Sequence, residues 1–187
     1  MGLLLALTPF VAFFALMRLI SPLAGLSAGF LASVALGARM WWRGESIKIL
    51  EIGSLLLFAG LVLYTLVAQP AWTVATVRLA VDCGLLAIVV VSLAIGRPFT
   101  LQYAREQVAK EFWTTPLFVR TNRRITAAWG LAFAVLVAAD AAAEYVPTVP
   151  LWLDIAGSIV ALCGAFGFTV WYPAKVRRDV DRLGYKI

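Results

Sequence analysis

Seven ionisable side chains fall within or at the edges of long apolar runs, and they are the residues in this chain best equipped for chemistry: Arg18, Glu51, Arg78, Asp82, Asp140, Glu144 and Asp154. A charge near the centre of a bilayer costs at least ~2.5–3.5 kcal/mol on insertion scales, so a cluster of them needs a reason. Arg78 and Asp82 are spaced i,i+4 and can pair on one helix face; Asp140 and Glu144 share a face by the same spacing. Asp154 enters from the start of the next run, and Glu51 follows Lys48 closely enough to pair with it. Carboxylates gathered around Arg78 and Arg18 would offer a site to a proton or a cation, as a channel, transporter or proton relay requires. The bland alternative is a solvated rim on which Arg18 and Arg78 offset the acids. The sharper one centres on Asp82 and Asp140, each expected ~9 Å inside its outer helix end at 1.5 Å per residue.

The elements that must position these residues are transmembrane helices. Apolar runs at 3–20, 23–40, 49–68, 76–95, 126–145 and 151–172 are each about the ~20 residues needed to cross ~30 Å of hydrocarbon. A hydrophobic content of 63% and a mean hydropathy of +0.92 agree. The expected fold is an all-α membrane protein, a six-transmembrane-helix bundle forming one integral membrane domain over 1–187. The uncharged start MGLLLALTPF reads as a retained first helix rather than a signal peptide.

Charge sets the expected orientation. With both termini cytoplasmic, all 16 Lys and Arg except Arg18 and Arg78 fall in the 39–48 connection, the 97–124 loop and the 173–187 tail. The positive-inside rule selects that topology. The net charge of +6 then points to anionic lipid headgroups rather than nucleic acid. Trp41, Trp42, Trp129 and Trp171 mark expected inner boundaries, and Trp72 and Trp152 outer ones, as an aromatic belt.

Gly25, Gly29, Ser33 and Gly37 recur every four residues and form a small-residue ridge on the second helix. In lipid such a ridge permits close van der Waals approach, either within the monomer, the favoured reading, or between two copies. Pro22 is expected in a tight outer turn, and Pro147 and Pro150 bracket the connection before the sixth helix. In the 97–124 loop, Thr100 is a candidate cap for an amphipathic helix running to about Phe112, lying in the cytoplasmic interface and supported by a Glu106–Lys110 pair. Tyr103, Phe112 and Trp113 would there meet lipid or a partner protein.

Much chemistry has no foothold. The chain has no histidine, which removes the usual haem, zinc and acid–base ligand. Cys83 and Cys163 lack CxxC partners and read as buried packing residues. Walker, Rossmann, nucleophile-elbow and zinc-protease motifs are missing. The expectation is a non-enzymatic protein without cofactor or metal.

The order of features resembles the bacterial intracellular septation protein A family: Pro9 before Phe13-Phe14, Arg97-Pro98 closing the fourth helix, then a cytoplasmic loop leading to Trp129 and an acid-containing segment before Pro147. The loop sequence QYAREQVAKEFW and Asp140 depart from the pattern. What the resemblance implies is a role in envelope organisation or septation through contacts with other membrane proteins or with itself, and no catalytic residues. The alternatives are a small ion- or proton-coupled transporter or channel using the acids, and an accessory subunit of a larger membrane complex.

Overall fold

Apolar runs with capping residues at their ends become helices throughout. The computed structural model describes residues 2–146 and 151–182, and no strand occurs among them. The helices are α1 (Gly2–Ala6), α2 (Thr8–Leu19), α3 (Pro22–Trp42), α4 (Ile49–Ala68), α5 (Val74–Ala94), α6 (Phe99–Ala104), α7 (Pro116–Tyr145) and α8 (Leu151–Arg182), with a 3-10 turn at Lys110–Phe112. Six segments are long and apolar enough to span a membrane, α1 and α2 together making the first. The expected connection at Pro147 and Pro150, and Lys186 of the tail, lie outside the described residues.

Local chemistry places the helix ends. The Ser21 hydroxyl accepts from Ala24 N–H at 3.2 Å with Pro22 at the first helical position, so α2 turns sharply into α3. Gln69, in the left-handed region at φ 46°, ends α4 ahead of Pro70. Thr73 caps α5 through Thr76 N–H at 3.0 Å. Thr115 caps α7, again with proline at the first position.

That last cap changes the expected boundaries. The fifth span was expected to open at 126, where the hydropathy rises, but α7 starts ten residues earlier at Pro116. At 30 residues it is ~45 Å long, well over the hydrocarbon thickness. α8 has 32 residues and continues past Pro173. The polar extensions of both carry Arg120, Arg123, Arg124, Arg177 and Arg178. Trp129, expected at a boundary, is consequently in mid-helix and buried, its indole N–H donating to Thr169 at 2.9 Å.

Neighbours in sequence are neighbours in space: α2 packs on α3, α3 on α4, α4 on α5, α5 on α7 and α7 on α8. The core holds the Phe10, Phe13 and Phe58 rings, with Phe58 lying 5.2 and 5.8 Å from the other two. The glycine ridge of α3 is what admits them. A Cβ on Gly29 would lie 2.5 Å from the Phe58 ring, and one on Gly25 would lie 2.8 Å from the Phe13 carbonyl oxygen. Ser33 is buried and turns its hydroxyl back to the Gly29 carbonyl at 2.9 Å. Gly37 meets nothing within 4 Å. The upper ridge therefore packs inside the monomer, against α2 and α4. Cys83 and Cys163, expected to be buried, are both exposed on the bundle surface.

The loop helix differs most from expectation. It ends at Ala104 rather than near Phe112, and Thr100 does not cap it. The Thr100 hydroxyl instead bonds the Thr126 hydroxyl at 2.8 Å and the Asn122 carbonyl at 3.0 Å, with Phe99, Leu101 and Tyr103 buried beside it. Tertiary packing against α7 outweighs the local amphipathic pattern, and Glu106 pairs with Lys48 at 2.7 Å, not with Lys110.

Close approach at the ridge gives a direct check. Gly25→Ala should destabilise by about 1–3 kcal/mol because backbone atoms cannot move aside. Gly37→Ala should gain up to about 0.5–1 kcal/mol of helix propensity. Thermal unfolding of the two variants in detergent separates them.

Candidate functional site

One end of the bundle encloses a charge cluster drawn from three helices. Arg78 sits one turn into α5, and its side chain crosses to both neighbouring elements. Nη2 approaches Asp140 Oδ1 of α7 at 2.6 Å, while Nη1 and Nη2 donate to Asp154 Oδ2 and Oδ1 of α8 at 2.8 and 3.2 Å. The Asp154 contact is the two-pronged arrangement that suits a planar guanidinium. One turn further along α5, Asp82 is a close neighbour of Asp140.

Burial makes this cluster unusual. Asp82, Asp140 and Asp154 are 1%, 0% and 2% exposed. None of the four carboxylate oxygens of Asp82 and Asp140 has a well-directed hydrogen-bond donor, and Arg78 Nε is also without a partner. The short Arg78–Asp140 contact is thus an ion pair without good hydrogen-bond alignment. Three carboxylates face one guanidinium, so the enclosed group is short of positive charge when all are ionised. The acids are shielded from bulk solvent, and an uncompensated charge there is expensive. Asp82 is the ninth residue of α5, so its Cα is ~12 Å from the first one, deeper than the ~9 Å expected when the helix was started at 76.

The structure thus brings together Arg78, Asp82, Asp140 and Asp154, with the three acids buried and the Arg78 side chain 15% exposed. The i,i+4 pairing expected between Arg78 and Asp82 gives way to Arg78 pairs with α7 and α8. Glu144 stands apart and half-buried, accepting from the Thr73 hydroxyl at 2.9 Å beside the N-terminus of α5, where the helix dipole favours an anion. Arg18 is exposed on α2 and outside the cluster. Among the described residues no group of three His, Cys, Asp or Glu is arranged to hold a metal ion.

A second polar network closes the opposite end. Lys48, only 3% exposed, forms an ion pair with Glu106 and lies 4.8 Å from the centre of the Tyr103 ring. The Tyr103 hydroxyl donates to Glu51 Oε1 at 3.3 Å, Glu51 Oε2 accepts from Lys48 N–H at 2.7 Å, and Gln102 Oε1 accepts from Ile49 N–H at 2.7 Å. Sequence reasoning found the Lys48–Glu51 pair but not Gln102, Tyr103 and Glu106, which are more than fifty residues away. Burial, with Glu51 alongside, pushes the Tyr103 phenol well above its ordinary value, so it remains a neutral donor. Tyr103 is therefore an internal strut, not a partner-facing residue. Phe112 and Trp113 are half-buried, and the Trp113 indole donates to the Val108 carbonyl at 2.9 Å with Arg105 stacked over its ring.

No family model, curated protein or solved structure matches this chain.

Three outcomes follow for stability. Arg78→Leu should cost about 3–5 kcal/mol by stranding buried carboxylates, whereas Asp82→Asn, which relieves repulsion and offers Asp140 a donor, should cost little. Thermal unfolding in a neutral detergent reads both. For Tyr103, the folded phenol holds its proton more tightly than the unfolded one. Its stabilisation is complete below about pH 10 and falls as pH climbs from there toward the folded value, because the unfolded chain ionises first. Tyr103→Phe should flatten that alkaline loss when unfolding is measured across pH 9 to 11.

Proposed function

We propose that this is an integral protein of the bacterial cytoplasmic membrane, both termini inside, in which the Arg78–Asp82–Asp140–Asp154 cluster takes up and releases a proton as part of a small proton-coupled transporter or channel. The observation that carries this reading is the pair of enclosed carboxyl groups, Asp82 and Asp140, facing each other with no donor but a misaligned arginine. A proton shared between them supplies both the missing charge and the missing hydrogen bond. A coordinated ion would need the acids to converge on a common centre.

Geometry also supports coupling to movement. Asp154 is the fourth residue of α8, and its bond to Arg78 joins α8 to α5, a helix with which it otherwise has little contact. Arg78 divides its attraction between Asp140 and Asp154. A proton arriving on Asp140 weakens one of those contacts and strengthens the claim of the other. Proton occupancy is thereby linked to how firmly α8 is held, which is the kind of two-state element that alternating exposure requires.

A second reading, a non-enzymatic envelope or septation protein acting through membrane contacts, draws support from α8. Trp152, Ile159, Val160 and Val170 are exposed along it, open to lipid or to another membrane protein. The two readings separate in proteoliposomes. Under an imposed pH gradient the wild type should conduct protons above empty liposomes, and a double Asp82→Asn, Asp140→Asn variant that inserts and unfolds normally should not. Equal flux from both proteins would remove the acids from the pathway, and no flux from either would move the weight to the scaffold.

A further inference from the structure

At the end of the bundle opposite the acids, the loop after α6, the first turns of α7 and the last turns of α8 enclose a groove of about 540 Å³. Its walls are apolar, with Val108, Phe112, Phe118, Ile125 and Val176 prominent. Much of its polar lining is already engaged: the Thr100 hydroxyl is bonded to α7, Asn122 Nδ2 donates to the Phe118 carbonyl at 2.9 Å, and the Thr115 and Thr169 hydroxyls donate to carbonyls of their own segments. Such a volume suits a ligand of a few hundred Å³ that is mostly hydrocarbon.

The mouth is cationic. Arg177 lines the groove itself. A second hollow of about 300 Å³ shares Leu117, Thr121, Val176 and Val180 with it and adds Arg120, Arg124 and one acid, Asp179. Three guanidinium groups against a single carboxylate leave the mouth positive, and Arg124 is steadied by the Tyr172 hydroxyl and ring. Nearby, Lys175 lies 5.2 Å from the centre of the Trp171 ring. Aromatic residues interleaved with bases are what a headgroup layer selects.

We propose that this groove is a specific site for an anionic bilayer phospholipid, one acyl chain lying along Val108, Phe118 and Ile125 and the phosphate held by Arg120, Arg124 and Arg177. Charge complementarity chooses the occupant. A zwitterionic lipid would bring its own headgroup cation against three arginines, and a soluble anion would leave the apolar walls uncovered. The site is independent of the acid cluster and of the function proposed for it.

The test uses full-length protein in nanodiscs made from equal amounts of phosphatidylglycerol and phosphatidylcholine of the same chain length. After extraction into a neutral detergent, retained lipid is counted by native mass spectrometry. Wild type should keep phosphatidylglycerol over phosphatidylcholine, and a triple Arg120→Gln, Arg124→Gln, Arg177→Gln variant should lose that preference by roughly tenfold or more. Ala104→Trp, which fills the groove, should retain neither lipid. Because Ala104 is half-buried, Ala109→Trp, at an exposed lining position, serves as the second filling variant if the first fails to fold. Equal retention of both lipids by wild type, or phosphatidylglycerol retention unchanged in the arginine or the folded filling variant, would overturn the proposal.

Discussion

The guanidinium of Arg78 is the constraint from which the arrangement of α5, α7 and α8 follows. Beside buried carboxylates and largely shielded from solvent, a cation is answered by anions at contact distance, and each of those must come from a helix close enough to deliver it. Asp140 fixes the rotation of α7 about its axis, and Asp154 fixes the start of α8. Interactions of this type are poor sources of net stability, because desolvation offsets most of the attraction. Their value is in specifying which faces meet, and here the same groups carry the excess negative charge that makes proton exchange the supported reading.

Packing does the rest, and it differs along the bundle. On the α2–α3–α4 side, association rests on close approach, with Gly25 and Gly29 letting Phe13, Met17 and Phe58 reach the α3 backbone. On the α5–α7–α8 side it rests on side-chain polarity: the Arg78 cluster at one end, the Thr100–Thr126 hydroxyl pair at the other, and Trp129 bonded to Thr169 between them. Lys48, Glu51, Tyr103 and Glu106 join the two sides across the α3–α4 connection. A helix bundle in lipid cannot use the hydrophobic effect to hold its helices together, and both remedies known for that problem are present in one short chain.

Six spans were legible because their signal is local: about twenty apolar residues need no knowledge of the rest of the chain to be read as a helix of membrane length. The acids of the cluster were legible for the same reason, since a charge in an apolar run stands out wherever it goes. What could not be read was partnership. The i,i+4 rule offered Arg78 to Asp82, whereas the tertiary fold gave it to Asp140 and Asp154, 62 and 76 residues away. Glu106 was similarly drawn from Lys110 to Lys48. The helix beginning at Thr100 failed for a related reason, because amphipathic spacing cannot say whether an apolar face meets lipid or another helix. The early start of α7 was hidden by hydropathy and visible only in the Thr115-Pro116 cap. The groove beside it, built from segments as far apart in sequence as Leu3 and Val180, left no trace in the pattern at all.

The central claim is that the buried acids exchange a proton while the protein stays folded. Counting protons bound by purified protein tests it most directly, by parallel acid–base titration of wild type and the Asp82→Asn, Asp140→Asn variant from about pH 5 to pH 9, with folding monitored throughout. If the cluster works as proposed, the wild type exchanges at least one proton in that window that the variant does not. Superimposable curves from two folded proteins would contradict it, and would leave Arg78 and its three aspartates as a purely structural clasp.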